Sequence, residues 1–110
     1  MGLTNFRAYQ ISLEFYWECQ KFKCARHLGE QLLRASSSVT LNLAEGSGKP
    51  TPRDRARFYF IALGSLRECE AILDLSRAVQ DTQIKILCDR LGSHLYQLCK
   101  SQSNPEKLKR

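Results

Sequence analysis

No run of apolar residues in this sequence approaches the ~20 needed to cross a bilayer, so a membrane-spanning helix is not expected. Residues 1–7 carry no basic segment ahead of an apolar one, which argues against a secretory leader. Met1-Gly2 opens like a myristoylation site, but Phe6 stands where Ser or Thr is required. These absences point to the cytoplasm and to no membrane partner. Histidine is scarce, with only His27 and His94. Nucleophilic catalysis needs a nucleophile, a base and an orienting group brought together. Two scattered histidines do not offer that, so no catalytic residues and no enzyme activity are expected. Asp and Glu are interleaved with Lys and Arg, as with Glu14, Glu18 and Lys21, in the manner of solvated helix faces.

Paired cysteines are also lacking. Cys19, Cys24, Cys69, Cys88 and Cys99 are odd in number and scattered, which suits buried small hydrophobes better than a disulfide framework. Cys19, Cys24 and His27 lie close in sequence, but a structural zinc site wants four ligands in paired clusters. No metal and no cofactor are expected. The segment Gly46-Ser-Gly-Lys-Pro50 resembles a phosphate loop only in part. Leu43 stands where that loop needs glycine, and Pro50 where it needs Ser or Thr. No helix-turn-helix is evident.

What the sequence does contain is helical periodicity. At 110 residues and 43% hydrophobic, it is long enough for one domain with a modest core. The first helix is expected over about 6–22, where Ala8, Ile11, Phe15, Cys19 and Phe22 repeat at three and four. Tyr9, Leu13, Tyr16 and Trp17 form a second face, either a wide core face or an oligomer interface. The second helix, about 25–45, carries Leu28, Leu32, Ala35, Val39 and Leu43 on one stripe. Ser36, Ser37 and Ser38 interrupt it with poor helix formers that admit a close neighbour. Gly46 is expected to end it in a left-handed conformation. Glu45 opposes the helix dipole there, so its carboxylate is either matched to a specific partner or simply exposed.

The third helix, about 52–78, has Thr51 as cap, Pro52 at the first position and Asp54 reaching back. Phe58, Ile61, Ala62, Ser65, Cys69 and Ile72 read as one face, with Tyr59, Leu63, Leu66 and Leu73 adjoining. Gly64 weakens a helix interior by ~1 kcal/mol relative to alanine. With Ser65 it is expected to admit another helix at short range. Phe60 lies outside both faces and joins the interface candidates. The fourth helix, about 82–100, has Asp81 as a possible cap and a seam of Ile84, Cys88, Leu91, Leu95 and Leu98. Such seams pack at ~20° in antiparallel bundles. The expected fold is all-α: an up-and-down antiparallel four-helix bundle over 1–100, with a basic tail over 101–110.

The net charge of +6 is concentrated in two places. Lys49, Arg53, Arg55 and Arg57 face only Asp54 within 49–57, and Lys100, Lys107, Lys109 and Arg110 face only Glu106 within 100–110. Concentrated positive charge attracts polyanions. These residues, Lys100 aside, are the candidate RNA or DNA contacts; the plainer reading of the charge is solubility.

Two stretches carry a family resemblance: Arg34-Ala-Ser-Ser-Ser-Val-Thr-Leu-Asn-Leu-Ala-Glu-Gly46, and Phe58 followed by Ile61-Ala-Leu-Gly-Ser-Leu-Arg-Glu68. They resemble the four-helix bundle proteins encoded by intervening sequences of large-subunit ribosomal RNA genes. That family is related to the accessory variability proteins of diversity-generating retroelements. The resemblance covers about residues 6–100. It implies a ring-like homopentamer and, for the retroelement branch, a basic surface that meets a reverse transcriptase and its RNA or DNA. The motif residues Asn42, Glu45, Gly46, Gly64 and Ser65 match. Thr40 and Leu41 stand where the family commonly has proline and serine, which puts a kink in the second helix in question. Two functions follow: an oligomeric nucleic-acid-associated adaptor, or a structural, protein-interaction bundle.

Overall fold

The structure is a computed structural model that describes residues 2–77 and 82–103, without the side chain of Thr82. The described residues form four α-helices: α1 (Arg7–Lys21), α2 (Arg26–Ser47), α3 (Pro52–Leu75) and α4 (Thr82–Gln102). A 3-10 turn, Leu3–Asn5, leads into α1. Each helix packs on its neighbour in sequence, and α1 closes the circuit against α4, so the molecule is a four-helix bundle with α1 diagonal to α3. No strand is present among the described residues. None of the helices is long and apolar enough to cross a membrane.

A local signal explains the start of α3. Thr51 caps α3, its Oγ1 accepting the Asp54 N–H at 3.2 Å, and Pro52 takes the first turn, where its missing N–H is harmless. α2 runs past the expected stop. Gly46 is helical, no described glycine has positive φ, and the helix ends at Gly48 in the right-handed region. α3 stops at Leu75 rather than near 78, and Arg77 at φ 54° adopts the left-handed conformation that commonly follows a helix end. Asp81, the expected cap of α4, lies outside the described residues.

The core follows the sequence stripes on three helices. Ala8, Ile11, Phe15 and Cys19 are buried from α1, and Leu32, Ala35, Val39 and Leu43 from α2. From α4 come Ile84, Cys88, Leu91 and Leu95, joined by Leu87 and Cys99. On α3 the buried line is Tyr59, Ala62, Leu66, Cys69, Ile72 and Leu73, which straddles the two faces read from sequence and leaves Ile61 exposed. Apolar residues surround α3, so periodicity alone cannot choose its phase.

Hydroxyls of α2 form polar seams on both sides. Ser12 of α1 donates to Tyr9 O and accepts from Thr40 Oγ1 at 3.0 Å. Ser38 and Ser65 share a hydrogen bond of 2.9 Å between α2 and α3, and Asn42 Nδ2 donates to Ser38 O at 2.9 Å. An Arg34–Glu68 ion pair spans the same helices. All five cysteines stand as thiols, all buried but Cys24. Burial pushes the Cys88 thiol up to about 12 and the Cys99 thiol up to about 11. Burial, reinforced by Cys19, Cys88 and Glu68, also raises Cys69. Protonated, inert thiols are the result.

Candidate nucleic-acid interface

The first basic segment sits at the corner where α2 turns into α3. The Lys49 N–H donates to Gly46 O at 3.0 Å. The Lys49 Nζ lies 5.1 Å from the centroid of the Phe58 ring, and the Arg57 Cζ lies 5.5 Å from the same centroid. Arg53 and Arg57 are exposed, whereas Lys49 is half-buried. Among the described residues, ion pairs join Lys21 to Glu18, Arg26 to Glu30, Arg34 to Glu68 and Arg67 to Glu70; none involves this corner.

Arg55 behaves differently from its neighbours. Its Nη1 donates to Lys49 O at 3.0 Å, and its Nε donates to Gln102 Oε1 at 2.9 Å. The guanidinium also lies close enough to offset part of the rise that burial imposes on the Tyr59 phenol. Arg55 therefore braces α3 against both the turn and the end of α4. That contact brings the last turn of α4, including exposed Lys100, toward the basic corner. Lys107, Lys109 and Arg110 lie outside the described residues.

The motif residues divide into two groups. Gly46 is the close-approach glycine: a Cβ built on it would stand 2.8 Å from Tyr59 Cε1 and 3.0 Å from Phe58 Cβ. Asn42 and Ser65 join the polar seam described above. Gly64 does not admit a neighbouring helix within the chain. It is exposed, and a Cβ built there meets nothing within 4 Å. Within the chain the close approach is therefore at Gly46, and Gly64 faces open space. Glu45 is exposed at the end of α2.

The apolar candidates lie at the surface to differing degrees. Trp17 and Phe60 are about half exposed, at 52% and 50%, while Tyr9, Leu13 and Tyr16 are half-buried. Sequence reasoning missed Leu41, Ile61, Ile86 and Tyr96, which are also exposed. Tyr96 falls one position past Leu95 on the α4 seam, so a helical projection carries the signal. Phe60, Leu63, Tyr96 and Cys99 line one shallow pocket between α3 and α4.

A family model described as 23S rRNA-intervening sequence protein matches residues 5–103. The chain belongs to this family. No curated protein and no solved structure matches it. The family match spans all four helices, both motif stretches and the basic corner. At Thr40 and Leu41, where the chain departs from the proline and serine of the resemblance, α2 is one continuous helix. Thr40 there supplies the hydroxyl that bonds Ser12, a contact proline could not make.

Proposed function

We propose that this member of the 23S rRNA-intervening sequence protein family is a non-enzymatic, oligomeric adaptor that holds nucleic-acid phosphates at the α2–α3 corner. The observation that supports this most is Lys49, Arg53 and Arg57 gathered at one corner with no carboxylate paired to them among the described residues. Side chains of this kind contact phosphates and carry little base information. Binding is therefore weakly sequence-specific and falls steeply with salt. The tail cations Lys107, Lys109 and Arg110 add charge to the same interaction. A reverse transcriptase is the protein partner that the retroelement branch of the resemblance implies.

The test is a titration of labelled RNA and DNA of unrelated sequence at two salt concentrations. Arg53→Gln with Arg57→Gln weakens binding to both and flattens the salt slope by up to ~2. Arg55 is left intact in that variant because it braces the corner. Absence of wild-type binding at ~50 mM salt defeats the adaptor reading.

A second reading rests on the exposed aromatics. Trp17 and Phe60 lie on diagonal helices, so the apolar surfaces they mark are different faces. Two unlike faces meeting head to tail generate a closed ring when the rotation closes. The pentamer implied by the resemblance is such a ring, and the chain then acts as a protein-interaction bundle whose charge maintains solubility. Light scattering at micromolar concentration tests the assembly; retention of a partner protein without nucleic acid favours this reading.

A further inference from the structure

We propose that Phe58 and Arg55 are positioning residues of the phosphate site: the Phe58 ring gathers Lys49 and Arg57, and Arg55 pins the backbone that carries Lys49. The inference rests on the reading of the corner as a phosphate interface. The ligand is a phosphodiester, from RNA or from DNA.

Two cations near one ring repel each other, and the negative face of the ring offsets only part of that repulsion. Neither Lys49 nor Arg57 has a carboxylate to complete the balance among the described residues. A phosphodiester oxygen supplies the missing negative charge. The backbone of Lys49 is held at both of its polar groups, its N–H by Gly46 O and its carbonyl by Arg55 Nη1. Arg55 is in turn anchored to α4 through Gln102. The absent side chain at Gly46 is what lets Phe58 lie against the end of α2. The cations are thereby ordered before a ligand arrives, and ordering done in advance is not charged against binding. A diffuse basic surface has no such requirement: only its total charge counts.

Variants that keep net charge constant separate the two. Phe58→Leu removes the ring, Phe58→Tyr keeps it, Arg55→Lys keeps the charge but not the two-armed brace, and Arg90→Lys, at an exposed position of α4 outside the corner, alters neither device. Each is titrated with the same labelled RNA and DNA over a salt series, with helical content checked by circular dichroism. Phe58→Leu is expected to weaken binding about tenfold with the salt slope unchanged, because the same number of cations remains. Phe58→Tyr and Arg90→Lys are expected to bind like wild type, and Arg55→Lys to lose affinity severalfold. Equal losses on RNA and DNA support a phosphodiester; a loss on one alone overturns that assignment. If Phe58→Leu unfolds, Arg55→Lys against Arg90→Lys decides the matter. Wild-type affinity in both Phe58→Leu and Arg55→Lys overturns the proposal and leaves the phosphate interface standing. If wild type itself binds neither nucleic acid, both readings fall.

Discussion

Gly46 and Gly64 are both helical, and alanine at the two positions should shift stability in opposite directions. In a helix interior alanine is favoured over glycine by ~1 kcal/mol, from backbone entropy alone. At Gly64 nothing opposes this gain, since a new Cβ meets no atom within 4 Å. Gly64→Ala is therefore expected to raise the melting temperature by ~5 °C in a domain of this size. At Gly46 the new Cβ would stand 2.8 Å from Tyr59 Cε1 and 3.0 Å from Phe58 Cβ. Tyr59 cannot swing aside, because only 4% of it is exposed and its ring packs on Phe6 at 6.1 Å. The Cβ of Phe58 is fixed by the α3 backbone. Overpacking of this kind costs ~1–3 kcal/mol, which exceeds the propensity gain. Gly46→Ala should thus lose about 1 kcal/mol net, a fall of ~5 °C. The assay is thermal unfolding by far-UV circular dichroism, all chains at one concentration because an oligomer's midpoint depends on it. A neutral or raised midpoint for Gly46→Ala refutes the close-approach argument. A fall for Gly64→Ala would place a second chain against the exposed face of α3.

Burial raises the Cys88 and Cys99 thiols to about 12 and about 11 from an ordinary thiol value of 9.0. Their contribution to stability is thus complete below about pH 9 and is lost as the pH rises through 11 to 12. Midpoints should be flat from neutral pH to about 8 and fall above about 9; a midpoint that rises there contradicts the assignment. The Arg34–Glu68 pair is half exposed, with side chains 62% and 39% accessible. A double-mutant cycle should therefore return under ~1 kcal/mol, and a coupling of several kcal/mol would show that solvent does not screen it. Trp17→Glu should leave helical content intact but lower the mass in solution; a wild type that is already monomeric by light scattering sinks the interface assignment.

The helices and most of the core were legible in the residues. Helix formation, capping and amphipathicity depend on neighbours within one or two turns. Thr51, Pro52 and Asp54 announce the start of α3, and the stripes through Ile11, Val39 and Leu91 pick the buried sides of α1, α2 and α4. The basic corner was legible as composition, and the family as two motif stretches. What tertiary structure decided is which surfaces meet. α3 is apolar on more than one side, so only its packing shows that Tyr59 and Leu66 turn inward while Ile61 turns out. The sequence reads Gly46 as a helix end and Gly64 as the close-approach glycine, yet of the two only Gly46 has another helix of the chain against it. Arg55 reads as one more cation of the cluster, but its side chain reaches Gln102, 47 positions away in sequence. Local periodicity carries no information about contacts between residues that distant; they exist only once the four helices have closed on one another.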